Sequence, residues 1–396
     1  MKPLFLICFL SLAIMAAADQ KRTENLLHDG NNKFTANMFS EVAKTNLVKS
    51  FVISGFSVLT PLAQLGLASV GEPHDELLNA IGMPDDNSTK EVFSWANTRV
   101  RGVKGVTLKT ASKIYVAKNY ELNPEFAAVT KDTFGSELQN IDFVQKQSAA
   151  NEVNAWVEEQ TNNRIKDLVD PDNLDQDTRA LLVNAIYFKG SWAAQFDKSL
   201  TREKDFFVTL KHTTKVDMMY RKGDYRYTDS AALKSQVIEI PYQGGETSLV
   251  IVLPHEIEGI TEVEEILKDL SVLDKTLSEM YETEVDLYLP KFKIETTTDL
   301  KDVLEKMNVK KVFSEVESRL DNLLSVKQNL YVSSATQKAF IEVNEEGAEA
   351  AAANVFGVSL LAAYIPEQRF EFKADHSFLF FLLEDANILF NGVYYA

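Results

Sequence analysis

The sequence predicts an α+β fold in which mostly antiparallel β-sheets carry helices. Two observations lead there. Apolar residues recur at helical spacing between Phe34 and Val157, and strand-like apolar runs take over from Ala180 onward. A third observation keeps the halves together: no internal repeat and no Pro/Gly/Ser-rich linker divides the chain. The 396 residues are 45% hydrophobic and 25% charged, a globular balance that excludes wholesale disorder.

The chain opens with Lys2, an apolar stretch from Leu4 to Met15, and the small residues Ala16-Ala17-Ala18. That order predicts a secretory signal peptide over residues 1–18, removed after Ala18 to leave one domain over 19–396. The apolar stretch is too short to span a bilayer comfortably, and no later stretch is long and apolar enough either. A secreted, extracellular protein with no membrane partner is expected. Losing Lys2 makes the formal charge, −17, one unit more negative. So acidic a chain is not a general nucleic-acid binder. Its one cysteine, Cys8, leaves with the signal, so stability must come from the core rather than from disulfides. Asn87-Ser88-Thr89 is a glycosylation acceptor in a polar stretch after Pro84, expected in a surface turn.

Each element has its own signal. Phe34, Met38, Phe39 and Val42 share one helix face, and Val58, Leu62, Leu65 and Leu67 do so more loosely. Glu76 to Ile81 reads as a helix stopped by Gly82. Val153, Trp156 and Val157 form the apolar side of a later helix whose polar side carries Glu158, Glu159 and Gln160. Ala180 to Phe188 is apolar apart from Asn184, the pattern of a strand covered on both faces. Val237–Tyr242, Ser248–Leu253, Val285–Leu289, Lys338–Val343 and Phe378–Leu383 continue the strands.

The residues that usually carry chemistry are scattered. His28, His74, His212, His255 and His376 stand singly, without metal-ligand spacing. His74-Asp75-Glu76 opens a helix that begins near Pro73. No nucleophile elbow, zinc-protease motif or phosphate-binding glycine loop is present. The sequence therefore predicts no catalytic residue, no metal, no cofactor and no enzyme. Lys90, Arg99, Arg101 and Lys104 form a modest basic group, read as a solvated helix face.

The most informative stretch is Glu345-Glu346-Gly347-Ala348-Glu349-Ala350-Ala351-Ala352-Ala353-Asn354-Val355-Phe356. It lies in a connection too long to be idle in a compact domain. Local pattern admits two readings. Alanine is the best helix former, so a short surface helix is one. The other is a strand with Ala348, Ala350 and Ala352 on one face and Glu349, Ala351 and Ala353 on the other. Such a strand could enter the middle of a sheet, because nothing bulky or charged points inward.

Five motifs in order resemble the serpin (serine protease inhibitor) family, in particular the inhibitory serpins of insect haemolymph. They are Phe51–Val58, Leu182–Trp192, Leu289-Pro290-Lys291-Phe292 with Asp299-Leu300, the alanine-rich stretch, and Phe372–Phe380. Ser377 stands where proline is common in that family. The resemblance implies the serpin fold, with about nine helices and an exposed reactive-centre loop at about 347–368. It makes Glu345, Gly347, Ala348, Glu349, Ala350, Ala351, Ala352 and Ala353 the hinge of that loop. It also implies a polar cluster of Ser54, Ser57 and Asn184 beneath the strands that part. Gln337 completes the cluster where many serpins have histidine, so no histidine-based pH sensitivity is carried over. Trp192 falls at the top of the sheet, where the loop first enters.

The implied activity is suicide inhibition: a protease cuts the loop, and the loop inserts before the acyl-enzyme is hydrolysed. The family's spacing from the hinge glycine places the cut bond at Leu361–Ala362, with Ala362 and Tyr364 as runners-up. No lysine or arginine occurs from Gly347 to Gln368. The expected partners are serine proteases of chymotrypsin or elastase specificity, held covalently by a monomeric inhibitor. Two rivals stand beside this reading: a non-inhibitory serpin that binds or carries a ligand, and an unrelated secreted hydrolase, for which no catalytic motif is present.

Overall fold

Residues 2–100, 105–346 and 370–396 are described by the computed structural model. The first third is mainly helical: α1 (Lys2–Ala43), β1 (Phe51–Ile53), α2 (Gly55–Ala68), α3 (Glu72–Ile81) and α4 (Asp86–Val100). There follow β2 (Val106–Ala117), α5 (Pro124–Phe134), β3 (Glu137–Ile141) and α6 (Lys146–Gln160). Strands then dominate: β4 (Ala180–Gly190), β5 (Arg202–Thr209), β6 (His212–Ser230), β7 (Ser235–Pro241) and β8 (Thr247–Pro254). After α7 (Ile260–Ile266) and α8 (Ser271–Ser278) come β9 (Tyr281–Pro290), β10 (Phe292–Asp299), α9 (Leu300–Lys306) and β11 (Val332–Val343). The chain ends with β12 (Phe370–Lys373), β13 (Phe378–Glu384) and β14 (Asn387–Tyr394). Nine α-helices thus lie among the described residues, as the resemblance implies, and the α+β class holds.

The strands form two sheets. One has the order β1-β14-β13-β8-β7-β6-β9-β12, with β5 also paired to β6. The other has the order β10-β11-β4-β2-β3. Most neighbours are antiparallel, but β4 and β11, β2 and β3, and β9 and β12 run parallel. Helix α2 packs between the sheets against β2, β4 and β14, which is why it is buried almost all round despite Pro61. Its first residue has no room for a side chain: a Cβ on Gly55 would stand 2.3 Å from Thr35 Oγ1. Gly82 ends α3 in the left-handed region, at φ 71°, and its N–H returns to Asn79 and Leu78.

Strand β4 is buried along its whole length except at Lys189, as its unbroken apolar run predicts. The core continues through Phe188, Phe378, Phe380 and Phe390, each fully buried. Burying a side chain of that size is worth roughly 1.5–3 kcal/mol. One local expectation needs correcting, and one strand was missed. The glycosylation acceptor lies in the first turn of α4 and not in a surface turn, because Asp85 caps that helix by accepting from Ser88 N at 2.7 Å. Asn87 itself is exposed. Strand β2 was not legible as a strand, since its first half is only partly buried and carries Lys109 and Thr110 on the surface.

Candidate functional site

Strands β4 and β11 are adjacent and parallel, in register from Ala180 opposite Val332 to Phe188 opposite Ile341. On either side each is paired antiparallel, β4 to β2 and β11 to β10. This seam is therefore a parallel joint inside otherwise antiparallel neighbours. A chain leaving β11 and turning back would run antiparallel to β11, and hence to β4 as well. Its insertion would replace one slanted parallel ladder with two perpendicular antiparallel ones, which are slightly more stable per residue.

A polar cluster closes the seam halfway along. Asn184 and Gln337 face each other in register across it. Gln337 Nε2 lies 2.8 Å from Asn184 Oδ1, 2.9 Å from Ser54 O and 3.1 Å from Ser57 Oγ. Gln337 Oε1 accepts from Ser54 N at 3.1 Å. Ser57 Oγ donates to Asn184 Oδ1 at 2.7 Å, and Asn184 Nδ2 donates to Ser57 O at 2.9 Å. Ser54 caps α2 through Ser57 N and donates its own hydroxyl to Leu389 O at 2.6 Å. All four side chains are buried. The expected residues thus meet in one network, and glutamine fills the histidine position with both its donor and its acceptor engaged. The network is neutral throughout.

A second lock sits at the top. Trp192 is fully buried, stacked on Tyr242 at 4.3 Å and edge-on to Phe196 at 6.0 Å. Its indole donates to Asn344 O at 2.7 Å, just where β11 ends. Trp192 N and Phe196 N donate to Glu346 O and Glu345 O at 3.3 and 3.0 Å. Glu345, the one residue of the expected hinge within the described segments, points into this corner. Its carboxylate accepts from Thr201 Oγ1 at 2.8 Å and pairs with Lys291 at 3.1 Å. Burial pushes that carboxyl up, but its own backbone N–H, Thr201 and Lys291 outweigh burial and hold it below the usual carboxylate range. Glu346 pairs with Lys198 on the surface. Tyr242, Thr201 and Lys291 escaped the sequence reading. Lys291 belongs to the Leu289-Pro290-Lys291-Phe292 motif, and the need of Glu345 for a cation was the signal that could have found it.

The remaining hinge residues, Gly347 to Ala353, lie outside the described residues, as do Leu361, Ala362, Tyr364, Arg101 and Lys104. Arg99 pairs with Asp385 and stacks over Trp95 at 5.2 Å, while Lys90 is exposed. His74 bridges Asp75 and Asp86, at 3.0 and 2.8 Å, and ties α3 to α4. Burial lowers its affinity for a proton, but the two carboxylates raise it further. Among the described residues, no group of three His, Cys, Asp or Glu side chains could hold a metal.

The family model for the serpins (serine protease inhibitors) matches residues 29–396. The chain belongs to the serpin family. It is 55% identical over 371 residues to antichymotrypsin-2 of Bombyx mori, covering 94% of this chain and 98% of that one. It is 52% identical over 389 residues to antitrypsin of the same species, covering 98% and 99%. Among solved structures it resembles Serpin48 of the insect Tenebrio molitor, described as highly specific, with a TM-score of 0.84 and 34% identity. That match covers 94% of this chain and 98% of the other. The parallel seam and its two locks are thus features of a serpin whose insect relatives are named as protease inhibitors.

Proposed function

We propose that this serpin is a secreted suicide-substrate inhibitor of chymotrypsin-like or elastase-like serine proteases, and not an enzyme. The observation that carries the reading is the seam: a parallel joint followed, at the end of β11, by a hinge whose inward face is alanine only. The protease serine attacks the loop and forms an acyl-enzyme; the freed hinge then enters between β4 and β11 and carries the enzyme with it. Roughly 14 residues separate Gly347 from Leu361, so full insertion moves the cut bond by about 46 Å. A dozen or so new ladder bonds at ~1 kcal/mol each amount to on the order of 10 kcal/mol, comparable to the stability of a typical domain. That is enough to distort a captured active site.

The relatives bear names of both specificities, antichymotrypsin and antitrypsin. The loop of this chain favours the chymotrypsin-like or elastase-like reading. From Gly347 to Gln368 it offers no cation to the buried aspartate of a trypsin-type pocket, and an apolar pocket accepts Leu361. Mixing the protein with chymotrypsin should give an SDS-stable band of summed mass, with a released fragment beginning at Ala362. A fragment beginning at Ala363 or Ile365 would move the bond. Rapid stoichiometric inhibition of trypsin would overturn the specificity.

The secretory reading also has support in the fold. Residues 17–22 are exposed on α1, so the Ala18–Asp19 bond stands clear of Thr23, which is buried. Protein recovered from the medium should begin at Asp19. Exposed Asn87 is the proposed glycan site, read by the mass lost on glycosidase treatment.

A further inference from the structure

Helix α6 lies over the seam-bearing sheet on an apolar face of Ala149, Ala150, Val153 and Val157, all buried. Apolar contact is non-directional and does not fix a helix to one strand rather than another. Its polar anchors do, and they lie on one side. Lys113 of β2 is buried, 3% exposed, although it is a lysine. Its ammonium stands 4.7 Å from the ring centre of Trp156 on α6 and 5.3 Å from that of Tyr115 on its own strand. The two rings meet edge-on at 6.3 Å, and Glu137 at the start of β3 completes the cage with an ion pair at 3.0 Å. Gln139 of β3 adds a bond to Glu152 of α6 at 2.5 Å.

Toward β11 the attachment is different. The described polar link there runs from Lys338 Nζ to Lys166 O, 2.7 Å, in the segment that returns from α6. Three residues of that segment, Asn162, Asn163 and Asp167, sit at positive φ, an uncommon conformation for side chains other than glycine. Beside its C-terminal end a cavity of about 580 Å³ opens between Glu159, Gln160 and Asn162 and the residues Phe56, Ala96 and Phe134. When β4 and β11 part, α6 and its return segment cannot stay attached to both sides.

We propose that Lys113 is a positioning residue for loop insertion. Its cation, caged by Trp156, Tyr115 and Glu137, fixes α6 to the β2–β3 side, so that the Lys338–Lys166 link breaks and the seam is uncovered. Without the cage, α6 stays tied to β11 and lies across the path of the incoming strand. This rests on the inhibitory reading above, so its test includes a readout that needs no protease.

The test is the rate at which a synthetic peptide of residues 347–360 enters the sheet of the uncleaved protein, followed by the rise in Tm. Lys113→Met should slow uptake about thirtyfold, the effect of losing a desolvated cation–π contact from the opening step, and Lys113→Arg should restore it. The stoichiometry of chymotrypsin inhibition should rise in parallel for Lys113→Met. Should Lys113→Met fail to fold, Trp156→Leu removes the cage from the half-buried side of α6 and should slow uptake likewise. A lowered Tm with unchanged uptake would make Lys113 merely structural and overturn the proposal, as would failure of arginine to rescue. If the parent takes up the peptide but forms no covalent complex, the inhibitory function fails while the uptake series still reads Lys113.

Discussion

The two locks on the seam close the same gap with opposite chemistry. Midway, Ser54, Ser57, Asn184 and Gln337 use only neutral groups, each buried and each partnered. At the top, Trp192 and Tyr242 supply stacked rings while Glu345 and Lys291 supply charge, with Lys291 a third exposed. A neutral buried network owes its strength to complete satisfaction and is blind to pH and salt. An ion pair at the rim of the sheet responds to both. The upper lock is thus adjustable by the medium, and the deeper one is not.

The comparison breaks most severely if a charge is sent past both locks. Ala350→Arg places a cation on the inward face of the hinge, where burial without a partner costs several kcal/mol. The strand should stall at the top, and the covalent complex with chymotrypsin should give way to simple cleavage; equal yields from variant and parent would refute insertion along this face. Next in size is Gln337→Ala, which leaves Ser54 N without its acceptor inside the core, while Asn184 Oδ1 keeps the bond from Ser57 Oγ. It should cost about 3 kcal/mol in urea unfolding of the uncleaved form, at one to a few kcal/mol per orphaned group. The loss should be the same at pH 5 and pH 8, since nothing in that network titrates.

Glu345→Gln should cost less, about 1 kcal/mol, because solvent screens Lys291. A double-mutant cycle with Lys291→Met isolates the pair. The pH dependence distinguishes the locks. The folded carboxyl of Glu345 lies below its ordinary value of 4.5, so its contribution is present above that pH and is lost as pH falls through the folded value. The stability of the parent should therefore drop more steeply than that of Glu345→Gln below about pH 4.5, while Gln337→Ala keeps the parental slope. The smallest effect belongs to a site outside both locks. Arg99→Ala removes a surface pair and should change stability by no more than about 0.5 kcal/mol, with no change in the rate of protease capture.

The deeper lock was more legible in the sequence than the upper one. Asn184 betrays itself as a polar residue in a buried apolar strand, which must have partners, and the motif around Ser54 and Ser57 supplies them. Gln337 comes from the resemblance to the serpins alone, since the apolar run that marks the strand begins at Lys338. The upper lock is assembled by tertiary contact between Lys291, Thr201 and Glu345, whose positions in sequence are far apart and whose residue types are common on surfaces. Lys113 was hidden for the same reason: a lysine in a strand reads as exposed, and only the packing of α6 on β2 brings Trp156 over it. The glycosylation acceptor misled because a helix N-cap and a turn use the same residues, Asp85 here serving as cap.

The parallel joint between β4 and β11 has a consequence for dose. On the proposed mechanism, a seam that accepts one returning strand is filled once. Each molecule that works in this way removes one protease and is itself consumed, so tighter docking cannot compensate for scarcity. Protection is then measured in copies present when the protease is released, and control passes from affinity to the rate at which the chain is made.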